Sequence, residues 1–181
     1  MRYPLVAPVR AVFLVLVLAT PVVAWDEPAG FRDVPWGASA ETIKEKIPEL
    51  KCGERNSIGR SSCSGILKIG PVVVTAWLRL LPTGFDSVTL GFPSDSFEAL
   101  KQIFGERYGQ PTDQRSIPVQ SRMGARYENV ILEWRGEKVV IELRRFGGTL
   151  REGGATIMTR ASHDEELKKL QEQMQRGKKD L

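Results

Sequence analysis

One histidine and two cysteines are all the imidazole and thiol chemistry this sequence offers. His163 stands beside Asp164, Glu165 and Glu166, and Cys52 and Cys63 are not spaced as Cys-x-x-Cys, so no zinc set is legible. A hydrolase triad needs a base held against a nucleophile and oriented by a third group. Nothing near His163 suggests one, and a solvated residue in the first turn of a helix is what its neighbours support. Glycine-rich stretches are present, but "GERYGQ" ends a helix and "GGTLREGG" lies between strands, so neither precedes a helix as a phosphate loop does. No cofactor is expected. Charge of one sign is not concentrated: 26 basic residues face 22 acidic ones, a net +4. That mild excess lacks the Lys/Arg stripe of a nucleic-acid partner.

Long apolar runs are also missing. The uncharged stretch Ala11 to Trp25 would span about 22 Å as a helix, short of the roughly 30 Å hydrocarbon core. It follows Arg2 and Arg10, contains Pro21 and closes on Val22-Val23-Ala24. This is the pattern of an export signal cut between Ala24 and Trp25, with an uncleaved N-terminal anchor as the alternative. No cysteine follows the run, so a lipid anchor at that junction is not expected. Cleavage removes two arginines and no acid, which halves the net charge of +4. The expected division is a signal peptide over 1–24, one α+β domain over 25–161 and a partly solvated helical tail over 162–181. The location expected is periplasmic or extracellular, with no membrane span after cleavage.

Within the domain, "WDEPAGFRDVPWGAS" reads as an extended lead-in, after which Ser39 caps a short helix carrying Ile43 and Ile47 and ended by Pro48. "ILKIG", "VVVTAWLRLL" and "FDSVTLGF" are consecutive antiparallel strands, separated by Gly70-Pro71 and Pro82-Thr83-Gly84. A second helix follows, with Asp95 and Glu98 at capping-box spacing, Phe97, Leu100 and Phe104 on one stripe, and Gly109 and Pro111 as its stop. "TDQRSIPVQSR" reads as a polar connection. In "VILEWRGEKVVIEL" a type II′ turn at Gly136-Glu137 would pair Trp134 with Val139, Leu132 with Ile141 and Val130 with Leu143. "GGATIMTR" supplies a third strand, and Ser162 with Glu165 has the spacing to start the terminal helix. The predicted fold is α+β: two successive units of one helix and three antiparallel strands, helices covering one sheet face, plus a C-terminal helix.

"FRDVPWGASAETIKEKIPELKC", "FPSDSFEALKQIFGERYGQPT", "VQSRMGARYENVILEW" and the closing "KKDL" resemble a group of small exported bacterial proteins of no assigned function. The resemblance covers most of the chain after residue 24 and implies no active-site residue. At the level of fold, a Gly-x-Ser turn into a short helix followed by antiparallel strands is similar to the beta-lactamase inhibitor protein. It is also similar to the small lipoprotein of outer-membrane assembly machines, from which this chain departs by lacking the lipobox cysteine. Fold likeness of this kind says little about function.

Three functional hypotheses follow from the residues. The leading one is a non-catalytic exported module that binds an envelope protein or surface component, with Trp36 as a candidate anchor or a plug of the core. The second is a hydrolase of envelope glycans built on Glu128, Glu133 and Glu142, residues that cross-strand pairing with Arg135, Lys138 and Arg144 also explains. The third is a binder of small anions or lipid phosphate that gathers Arg122, Arg126 and Arg144. Oligomeric state is left open. Cys52 and Cys63 bracket a polar segment, and in an oxidising compartment such a pair is expected to close as a structural disulfide rather than a redox centre.

Overall fold

The computed structural model describes Trp25 and residues 27–179. The expected export signal, up to its cut after Ala24, lies outside the described residues. A small hairpin of β1 (Gly30–Phe31) and β2 (Val34–Pro35) precedes α1 (Ala40–Lys46). An antiparallel meander follows: β3 (Lys51–Cys52), β4 (Ser61–Ile69), β5 (Val72–Leu81) and β6 (Gly84–Pro93). A 3-10 turn over Ser94–Ser96 feeds α2 (Phe97–Tyr108). A second meander contains β7 (Asp113–Gln120), β8 (Arg126–Arg135), β9 (Val139–Arg144) and β10 (Glu152–Thr159). The helix α3 (Arg160–Lys179) comes last. The two meanders share one eight-stranded sheet of order β3-β4-β5-β6-β10-β9-β8-β7, joined at their last strands.

Strand alternation explains why both helices lie on one side. Val74, Ala76 and Leu78 of β5, Val88 and Leu90 of β6, Ala155 and Ile157 of β10, and Ile141 and Leu143 of β9 all point one way and are buried. Ile43 and Ile47 from α1, and Phe97, Leu100 and Phe104 from α2, pack onto that surface as one core. Ser39 caps α1, its hydroxyl accepting from the Thr42 N–H at 3.3 Å. Gly109, at φ 78°, ends α2, and its carbonyl accepts from the Trp134 indole at 2.9 Å.

Four expectations need correction. α1 and α2 are each followed by four strands rather than three. The extra strands are β3, a two-residue edge, and β7, which occupies the supposed polar connection. Being an edge strand exposed along almost its whole length, β7 needs no apolar alternation, and it tolerates Pro118. The Asp95–Glu98 capping box does not form, because the 3-10 turn takes its place and the Ser96 side chain makes no capping bond. Ser162 lies inside α3 rather than at its start; its N–H donates to the Thr159 hydroxyl.

The fourth correction concerns the β8–β9 hairpin. Trp134 pairs with Ile141 and Leu132 with Leu143, two residues further along β9 than the turn rule predicts. A shift of two preserves every face, so the core is unchanged. The cause is remote in sequence. The Glu27 carboxylate accepts from the backbone N–H groups of Glu137, Lys138 and Val139 at 2.9, 2.7 and 2.8 Å. A methyl at Gly136 would lie 2.3 Å from that carboxylate, so this glycine serves close approach rather than positive φ.

Burial alone would raise the Glu27 pKa, but the three backbone donors outweigh it and hold the carboxyl below the ordinary value of 4.5. A depressed folded-state pKa contributes stability above the unfolded value and loses it as pH falls through the folded one. Glu27→Gln is therefore expected to destabilise the protein by about 1–2 kcal/mol at neutral pH. The gap to the unsubstituted protein should shrink as pH is lowered below about 4.5 in denaturant titrations.

Candidate functional site

The residues singled out in the sequence do not converge. Trp36 is half-buried, tilted against Phe85 with ring centroids 4.8 Å apart, and its indole donates to the Pro28 carbonyl at 2.9 Å. It joins the lead-in segment to the core and presents no free anchor. Arg122 and Arg126 sit at the exposed tip of the β7–β8 hairpin. Arg126 shares the face of Leu132 and Trp134, whereas Arg144 projects from the opposite face. His163 is half-buried, with Nδ1 3.2 Å from Asp164 Oδ1.

Glu133 and Glu142 do meet, directly opposite one another on β8 and β9. Like charges so placed repel unless cations intervene, and three arginines do. Arg135 Nε donates to Glu133 at 2.7 Å, and Arg144 Nε to Glu142 at 2.8 Å. Arg115 on β7 reaches both, at 3.1 Å to Glu133 and 3.5 Å to Glu142, and also pairs with Asp113 at 2.9 Å. Burial of Glu133, 5 % exposed, would raise its pKa, but Arg135 and Arg115 lower it overall. A glycosidase acid needs the opposite tuning. Glu128 is exposed and accepts a bond from Ser116 at 2.8 Å.

The geometry points instead to the sheet face that no core helix covers. Across the β6–β10 seam, one row reads Thr75, Gly91, Gly154, Arg144, and the next Trp77, Thr89, Thr156, Glu142. Small residues fill the middle, so the surface dips between Trp77 and Arg144, which lie three strands and one row apart, about 16 Å at ordinary sheet spacings. The depression has a volume of about 890 Å³, with Arg151 and Gly148 on its rim. Trp77 is 48 % exposed and lies over Gly91, where a methyl would sit 3.1 Å from its Cζ3. Ile66 and Val73 extend the apolar side, and both are at least half exposed. The signal for this face was present in "VVVTAWLRLL": alternation puts Trp77 with Val73 and Thr75, away from the buried parity.

One end of this face is tied to α3. Asp86, only 5 % exposed, accepts from Arg79 Nε and Nη2, the latter at 2.7 Å, and from the Ser162 hydroxyl at 2.7 Å. Arg79 also pairs with Glu166. Burial would favour neutral Arg79, but Asp86 and Glu166 outweigh it and hold the guanidinium charged. Beyond this knot α3 runs through solvent, with Leu167, Leu170 and Met174 about half exposed.

Compared with known proteins, the chain matches no family model, no curated protein and no solved structure. Among the described residues, no helix is long and apolar enough to cross a membrane. Among the same residues, no group of three or more His, Cys, Asp or Glu side chains is placed to hold a metal.

The cysteines form a disulfide between directly paired residues of β3 and β4, with Cys63 fully buried. It pins the two-residue edge strand β3 and closes the polar loop between them, with Cys63 on the buried face beside Leu78 and Trp77 on the opposite face. Closing a loop of this size stabilises the fold by about 3 kcal/mol in the chain-entropy model. Cys52→Ser is expected to lower the melting temperature by several degrees while leaving binding at the open face unchanged. Lost binding with unchanged melting would contradict this assignment.

Proposed function

We propose that the protein is a non-catalytic exported binding module of the bacterial cell envelope, and that the helix-free sheet face is where it engages a protein partner. One observation carries this: a half-exposed Trp77 bordering a floor of glycine and threonine on an otherwise well-packed fold. Large aromatics at the margin of a concave patch are the usual anchors of protein interfaces. An ordered sheet floor also requires little reorganisation on binding. The disulfide and the signal-like N-terminus support an oxidising compartment outside the cytoplasm. The likeness to small exported bacterial proteins, and in fold to the beta-lactamase inhibitor protein, belongs to the same reading. Two helix-and-meander units sharing one sheet are consistent with it.

The partner that fits is a protein loop offering an apolar side chain to Trp77 and an acidic group to Arg151. That arginine makes no ion pair among the described residues. Photo-cross-linking in cells from a probe replacing Thr89 is expected to give one discrete protein adduct, lost on Trp77→Ala. A probe replacing Gln102, exposed on α2, should give none. Equal labelling from both positions, or an adduct indifferent to Trp77→Ala, would contradict the proposal.

A further inference from the structure

The helix-covered side of the sheet holds a separate concavity of about 610 Å³, within the roughly 300–1,000 Å³ range of ligand pockets. Short α1 contributes nothing to its lining, and the β1–β2 hairpin forms part of its wall instead. Ile69 and Ile103, both partly exposed, are its reachable apolar surface, and the buried Phe31, Leu90, Phe104 and Ile157 back them. The interior is therefore apolar and contiguous with the core.

The rim has the opposite character. Arg32 and Arg107 line it with a single acid, Asp33, while Lys68, paired with Val73, turns its side chain to the other face of the sheet. Arg32 Nη2 donates to the Lys68 carbonyl at 2.9 Å, but among the described residues neither arginine makes an ion pair. Arg32 is also the one described non-glycine residue with positive φ, 53°, a conformation that costs energy for a side chain with a Cβ. Its guanidinium is thus held beside an apolar cavity with no anion to neutralise it.

We propose that this cavity binds a single-chain amphiphile with an anionic head, the acyl chain lying along the partly exposed Ile69 and Ile103 and the carboxylate or phosphate held by Arg32 and Arg107. Burial of the chain supplies non-directional affinity, while charge-assisted bonds at the rim select the head. This site lies on the other side of the sheet from Trp77 and does not depend on the partner-binding face.

Calorimetry and native mass spectrometry test it with the purified protein and three probes below their micelle-forming concentrations: palmitate, lysophosphatidic acid and neutral monopalmitoylglycerol. Both anions are expected to bind one per chain, at least about tenfold more tightly than the neutral lipid. The tighter anion identifies the head as carboxylate or phosphate. Arg32→Gln/Arg107→Gln alters two exposed side chains and should leave melting unchanged. It should weaken both anions by about tenfold or more and leave the neutral lipid unaffected. Trp77→Ala should change none of these affinities. No saturable binding of either anion, equal binding of the neutral lipid, indifference to the double substitution, or loss on Trp77→Ala would each overturn the proposal.

Discussion

The ladder between β6 and β10 is the constraint on which the rest of this molecule depends. Seven residue pairs, from Glu152–Pro93 to Met158–Ser87, join two meanders that would otherwise end in open edges. Through it Leu90 meets Ala155 and Val88 meets Ile157, so the apolar faces of both halves become one surface with one core beneath α1 and α2. The same ladder places Gly91 beside Gly154 and Thr89 beside Thr156 on the reverse face. The dip between Trp77 and Arg144 is a direct product of joining the halves at these positions.

Polar groups are distributed in keeping with that division. On the β7–β9 half of the open face, acids and arginines neutralise one another through Arg115, leaving that half a closed ionic lattice. Such partly exposed pairs add modestly to stability. They do prevent the facing glutamates from repelling one another. On the β4–β6 half, Ile66, Val73 and Trp77 remain uncovered. Asp86, at the β5–β6 irregularity, is a deeply buried acid that bonds across to Ser162 and fixes the start of α3. On the helix side, Arg32 and Arg107 beside the 610 Å³ cavity make no ion pair among the described residues.

Much of the architecture was legible because local rules and tertiary demands agreed. β-branched and aromatic runs located β5 and β6, strand alternation gave the faces of β8 and β9, and the Phe97–Leu100–Phe104 stripe with Gly109 located α2. The cysteine pair was readable from its polar bracket. What escaped was set by contacts distant in sequence. The β8–β9 register answers to Glu27, about a hundred residues earlier, and no turn rule contains that residue. β7 is held by backbone bonds to β8 that leave no hydrophobic signature. Ser162 has the composition of a cap, but its hydroxyl is taken by Asp86 on β6. The candidate surfaces were harder still. Arg32 from the β1–β2 hairpin and Arg107 from α2 are gathered only by folding, while Arg126 and Arg144, grouped in the sequence reading, project from opposite faces.

Native-state hydrogen exchange across increasing denaturant tests the central claim most directly, because it measures whether the two meanders open as one unit. If the β6–β10 ladder unites them, the amides of Val88, Leu90, Ala155 and Ile157 should exchange only through global unfolding, with the same free energy as the cores of β5 and β9. Exchange at the seam with a distinctly lower free energy, while the halves on either side stay protected separately, would contradict it.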